Sequence, residues 1–216
     1  MSKSKKHRIN INRIYDSLKE VQDHFKEINQ DLLLKREPLS DRIIDNMILG
    51  YRYIDQLLVM DEDIFDQDRL DHMLELNHIV LCGGNSESRA EHYKHILSTR
   101  DRYYNFVTPI WKWVKKHKSD STWKVASEVY VGILSSPQLY FEGNHRTGAL
   151  IVSYCLMRGG YYPFVLTLNN ARAYFNPSSE IKFSDKRNIK GKLKLPKYKK
   201  RFKEFLKMNV EEGFVY

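Results

Sequence analysis

Apolar residues recur at three- and four-residue steps through most of this chain, and that spacing predicts a mainly α-helical protein. Ile11, Ile14, Leu18, Val21, Phe25, Ile28 and Leu32 form one such stripe. It predicts a long amphipathic helix over Ile9 to Leu34 with its apolar face in a core. Pro38 ends that run, and Ser40 caps a second helix carrying Ile43, Ile44, Met47, Ile48, Tyr51 and Ile54. A third helix is expected from about Asp68 to Leu81, before turn chemistry at Gly83 to Ser88. From Arg89 to Phe106 the spacing of Tyr93, Ile96, Tyr103, Tyr104 and Phe106 reads as a loop and a short β-hairpin, turning near Ser98 to Asp101. Thr108 and Pro109 then read as the cap and first residue of another helix. Ser119-Asp120-Ser121 opens the next, which runs through Leu134. Ala149, Leu150, Val152, Ser153, Leu156 and Met157 keep helical spacing from about Asn144 until Gly159-Gly160 closes the run. Tyr162 to Leu168 reads as extended, and Asn169-Asn170 opens a short helix that Pro177 interrupts.

Composition adds bounds to this picture. The chain has 216 residues, enough for one domain or one domain with an appendage. No run of about 18 apolar residues is present, so no membrane span is expected. The basic opening from Met1 to Arg8 lacks a following apolar segment and does not read as a signal peptide. Two cysteines, Cys82 in an expected strand and Cys155 in the helix after Asn144, fit a reducing compartment and act as small apolar residues. A cytoplasmic protein, or one delivered into a host cytosol, is the expectation. His92 and His95 read as hairpin surface rather than as a metal site. The formal charge of +9 is concentrated between Lys182 and Lys207, where only Asp185 and Glu204 oppose twelve Lys and Arg residues. Such a basic tail suits an acidic partner or nucleic acid, and equally serves as a solvated flank.

The candidate chemistry lies in Gln138-Leu139-Tyr140-Phe141-Glu142-Gly143-Asn144-His145-Arg146-Thr147-Gly148. A helix begins within this run, and its first N–H groups have no partner inside the helix. Together with the macrodipole they favour an anion. Gly143 lets backbone approach a ligand, Arg146 can fork onto phosphate oxygens, and Glu142 can hold a Mg²⁺ that shares the phosphates.

This run resembles the Fic/Doc motif, H-x-F-x-[D/E]-G-N-[G/K]-R-x-x-R. Glu142, Gly143, Asn144 and Arg146 match it, and Tyr140 stands at the family's Phe. Leu156 to Pro163 is similar to the family's close of the motif helix. Asn77 to Gly83, Ala90 to Tyr104 and Thr108 to Trp113 are similar to its upstream segments, so the resemblance covers about residues 40–180. It implies a Fic-type helical bundle over 39–180 with a β-hairpin flap at about 89–106 that docks a target protein by strand addition. An N-terminal helical extension, 1–38, and a basic C-terminal tail, 181–216, would flank it. It also implies ATP and Mg²⁺ as cosubstrate and cofactor, and transfer of AMP to a protein hydroxyl. Gly143, Asn144, His145, Arg146 and Thr147 would bind the phosphates and Glu142 the metal.

Three departures stand against the motif: Gln138 at the catalytic His, His145 at the Gly or Lys, and Ala149 at the second Arg. The last is shared by Doc-like members, which transfer phosphate instead. An amide has no pKa near neutrality and cannot act as a general base. His145 is the substitute titratable near pH 7. Base, phosphate or target contact, and plain surface residue all stay open for it. The alternative to an AMP transferase is a catalytically degenerate Fic-fold protein that acts through partner binding.

Overall fold

The computed structural model describes residues 7–216, and the basic opening up to Lys6 lies outside them. Ten α-helices account for most of the described residues: α1 (Ile11–Asp23), α2 (Phe25–Gln30), α3 (Asp41–Val59), α4 (Asp71–Cys82), α5 (Ser86–Glu91), α6 (Tyr93–Lys116), α7 (Thr122–Leu134), α8 (Asn144–Arg158), α9 (Ala171–Lys182) and α10 (Ile189–Met208). Extended pairing among the described residues is limited to isolated bridges, Ile9 with Val215, Ser136 with Asp185 and Phe164 with Val210. The chain is therefore all-α in class.

α8 is the central helix, buried without interruption from Thr147 to Leu156. It packs against α7, α3 and α4. The first of these packings is close because Gly148 faces a ring: a Cβ there would meet Tyr130 at 3.0 Å. α3 begins where expected, with the Ser40 hydroxyl accepting from the Ile43 N–H. One apolar core takes side chains from every α-helix but α5, including Ile14 and Val21 of α1 and Phe202, Phe205 and Leu206 of α10. The basic C-terminal segment is thus a helix laid against α7 and α9. Its lysines face outward while Phe202 stacks on Tyr130 with ring centres 4.1 Å apart. The N-terminal segment is tied in as well. Asp55 accepts from the Arg8 guanidinium at 2.6 Å and from the Ile9 N–H at 3.0 Å.

Several expectations need correction. The stretch expected as a hairpin at 89–106 is helical, forming the end of α5 and the first half of α6. Thr99, Tyr103, Val107, Ile110 and Val114 are the buried side of α6, and they repeat at steps of three and four. A hairpin would have split this single stripe across two faces. Thr108 and Pro109 consequently sit inside α6 rather than at its start. Pro109 is exposed there, and the Thr108 hydroxyl donates to the Tyr104 carbonyl at 3.0 Å. With no hairpin there is no flap edge for strand addition, so target docking by that route does not apply to these residues. Cys82 closes α4 rather than sitting in a strand. The long first helix is broken at His24 into α1 and α2.

Candidate functional site

The motif run forms a loop that turns back onto itself before entering α8. The Leu139 N–H donates to Ile133 in α7 at 2.9 Å. The Tyr140 ring is fully buried, stacks on Tyr103 at 5.8 Å and donates its hydroxyl to the Met73 carbonyl at 2.8 Å. Asn144 then clamps the loop. Its side chain accepts from the Tyr140 N–H and donates to the Tyr140 carbonyl, both at 2.9 Å. This side chain is a structural device that satisfies two buried backbone groups, which leaves the backbone at Asn144 as its part of the expected phosphate contact.

Gly143 precedes the helix in the left-handed region, φ 71°. Two facts make glycine necessary. That backbone is strained for any residue with a Cβ, and a Cβ there would press on Asn77, Leu81 and Val80 of α4 at 3.1 to 3.3 Å. Asn77, fully buried, donates to the Glu142 carbonyl at 3.0 Å and to the Thr147 hydroxyl at 3.1 Å. Thr147 is therefore a packing and anchoring residue, completely buried, rather than a ligand contact. No side chain caps the start of α8, and the Thr147 N–H closes the first turn onto the Gly143 carbonyl. The amides of the opening turn keep their preference for an anion.

Glu142 and Arg146 converge. Both line one open cleft of about 430 Å³ with Arg42, Ile43 and Asn46 of α3, Leu81 and Cys82 of α4, and His92 and His95. Glu142 is exposed and its carboxylate joins no ion pair among the described residues. Arg146 donates to the Val80 carbonyl at 3.2 Å. Burial pulls its guanidinium below the ordinary value, against the attraction of Glu142 and Glu37. It stays cationic at neutral pH and has donors to spare. The Nε2 atom of His95 is buried without a partner. Arg42 and Arg146 against the one carboxylate of Glu142 leave the cleft with a net positive charge.

His145 goes elsewhere. It lines a narrow, mostly apolar cavity of about 70 Å³ with Leu18, Leu39, Met47, Tyr51, Phe164 and Phe175, which Arg146 also borders. Both its ring nitrogens are buried and unpartnered. Burial pushes its pKa well below the usual imidazole value, and nearby Arg36, Lys182 and Arg146 push the same way. His145 is a neutral imidazole at pH 7. Ala149 lines the same cavity. Gln138 is also withdrawn: its side-chain amide donates to the Leu134 carbonyl at 3.2 Å, at the end of α7, and its own carbonyl accepts from Arg102 at 2.7 Å.

Of the residues expected to act together, Glu142 and Arg146 meet in the cleft at Gly143. Asn144 and Thr147 build the loop, and Gln138 and His145 lie outside the cleft lining. Arg42, Asn77 and His95 were not anticipated as parts of the site. Asn77 and His95 each lie in a segment that is similar to the family upstream of the motif, but neither segment marked them as site residues. A Mg²⁺ fits this site in one way. Among the described residues no group of three His, Cys, Asp or Glu side chains could hold a metal alone, so Glu142 would bind one only alongside ligand phosphates. Comparison with protein-family models, with curated proteins and with solved structures finds no match to this chain.

Proposed function

We propose that this chain binds a nucleotide through its phosphates in the cleft between α3, α4 and the start of α8, and that it transfers AMP to a protein hydroxyl slowly or not at all. The observation that carries this reading is the convergence of Glu142 and Arg146 on one cleft of net positive charge beside an uncapped helix start. In it Arg146 forks onto phosphate oxygens, the first amides of α8 face the developing charge, and Glu142 supplies one ligand to a phosphate-bound Mg²⁺. The metal, when bound, neutralises phosphate charge and orients the reacting group.

The reading is weighted toward the degenerate form by the two residues that would have to move a proton. The Gln138 amide has no proton-accepting nitrogen and is engaged with α7. His145 can accept a proton, but it is buried in the narrow cavity, outside the cleft lining. Losing general-base assistance costs about 10²–10⁴ in rate. Binding of a partner that recognises the nucleotide-loaded protein is the role left to such a chain. The outward lysines of α10 give that partner an acidic complement.

Calorimetry with ATP and Mg²⁺ tests the reading. Binding that needs Mg²⁺ and is lost in Arg146→Ala supports it; absence of binding to ATP, ADP and inorganic phosphate rejects it. Incubation with labelled ATP and lysate, for the natural chain and for Gln138→His, separates the two forms. Labelling only by Gln138→His assigns the natural chain to the non-catalytic one, and labelling by the natural chain restores the transferase.

A further inference from the structure

A second cavity, of about 200 Å³, lies between α6, α7 and α10, away from the motif cleft. Its walls are apolar: Phe106, Ile110 and Trp113 from α6, Val129 and Val131 from α7, and Leu195 from α10. Its polar groups are the Glu128–Lys199 ion pair between α7 and α10 and, where α7 ends, Ser135 and Lys186. Ser135 is completely buried there, and its hydroxyl has no hydrogen-bond partner. Buried hydroxyls are normally satisfied, so this one points to something the protein alone does not supply. Lys186 lines the same cavity and donates to the Gly132 carbonyl at 2.8 Å. That bond satisfies a helix-end carbonyl and uses one of three ammonium protons.

The charge around this end is unbalanced. Burial, and after it the nearby Arg102 guanidinium, brings the Lys186 pKa down to about 8. Arg102 is sandwiched between the Phe106 and Phe141 rings, 4.6 and 4.8 Å from their centres, with its Nε buried and unpartnered. Neither cation joins an ion pair among the described residues. Asp185 pairs with Arg187 at 2.9 Å, and Glu128, which also lines the cavity, is neutralised by Lys199 in the same lining at 2.6 Å. A helix-end cap explains where Lys186 sits. It does not explain the orphaned hydroxyl, the second cation or the apolar void.

We propose that this cavity is a binding site for a small apolar carboxylic acid, whose carboxylate accepts from the Ser135 hydroxyl and the Lys186 ammonium while its hydrocarbon part lies among Phe106, Ile110, Trp113, Val129 and Leu195. At about 30 Å³ per water-sized group the cavity holds roughly seven such groups, which selects a short alkyl or single-ring acid over a drug-sized one. The mode is that of most small-molecule sites, an apolar pocket with a few convergent polar groups. It does not depend on the nucleotide reading.

The test uses the full chain with straight-chain acids from butanoate to decanoate and the matching alcohols, followed by calorimetry and tryptophan emission. Affinity is expected to rise about three- to fourfold per methylene and then level off when the cavity is full. Acids are expected to bind at least tenfold more tightly than alcohols. Ser135→Ala is the decisive variant, because it removes a hydroxyl with no partner. It is expected to leave the melting temperature unchanged or higher and to weaken the acid several-fold. Lys186→Gln is expected to abolish the preference for acid over alcohol, and Lys186→Arg to keep it. Equal binding of acids and alcohols, or no binding of any member at millimolar concentration, overturns the proposal. So does Ser135→Ala binding the acids as tightly as the natural chain.

Discussion

The two sides of the start of α8 differ more than their sequence suggests. His145 and Arg146 are neighbours, yet one faces a narrow apolar cavity of about 70 Å³ and the other also reaches a wider, polar cleft of about 430 Å³. Successive helical residues are turned by about 100°, so adjacent letters in a motif can be handed to unrelated environments. In the cleft Glu142, Arg146, Arg42 and His95 form a charged, ligand-sized space. In the narrow cavity an imidazole lies among aliphatic and aromatic carbons with no hydrogen bond. Glu142 and Arg146, the groups that the proposed phosphate binding would use, thus lie apart from His145, the group that could accept a proton.

Among substitutions on the two sides of α8, the largest effect belongs to the residue that clamps the loop leading into it. Asn144→Ala removes two hydrogen bonds and strands two buried Tyr140 backbone groups. A loss of about 3 kcal/mol in urea unfolding is expected, and a loss below about 0.5 kcal/mol would mean that the loop does not depend on this clamp. Arg146→Ala tests the cleft. Removing a charge-assisted contact to phosphate is expected to weaken ATP by about 10- to 100-fold in calorimetry.

His145→Leu tests the narrow cavity. Replacing two unpartnered ring nitrogens with carbon is expected to stabilise the fold by about 1 kcal/mol. The same variant has a pH signature. The folded-state pKa values of His145 and His78 are depressed by burial, so the unfolded chain, titrating near 6.5, binds protons that the folded chain refuses. Stability should fall as the pH drops from 7 through 6.5 and level off only below the folded-state values, with a shallower slope in His145→Leu. An unchanged slope would show that His145 is solvated after all. The smallest effect is expected from Glu142→Ala, within about 0.5 kcal/mol in stability because the carboxylate is exposed and unpaired, yet with ATP binding no longer improved by Mg²⁺. A Mg²⁺ effect that survives this change would remove Glu142 from the metal.

Much of the helical framework was legible. The caps at Ser40 and Ser121 and the stop at Gly159 rest on local backbone chemistry, which the chain writes out residue by residue. The error at 89–106 had a physical source. Thr99, a polar residue buried to completion in α6, interrupts the apolar lettering of a stripe that Tyr103, Val107, Ile110 and Val114 continue. The adjacent tyrosines, one buried and one exposed, imitate the alternation of a strand. Pro109 added a false helix start, because proline inside a helix is rare but tolerated where it faces solvent.

What the sequence determined by itself was the class of structure and the presence of a glycine-turned helix start carrying Glu142, Asn144 and Arg146. Those features depend on periodicity and on φ angles, both set by neighbours in the chain. Only the tertiary structure decided that Arg146 would meet Arg42 and His95 across a cleft and that His145 would share a cavity with Phe175. Each of these depends on which distant helix lies alongside. Burial and charge, the two terms that fix a side chain's chemistry, are properties of that assembled surrounding and not of the residue's place in a motif.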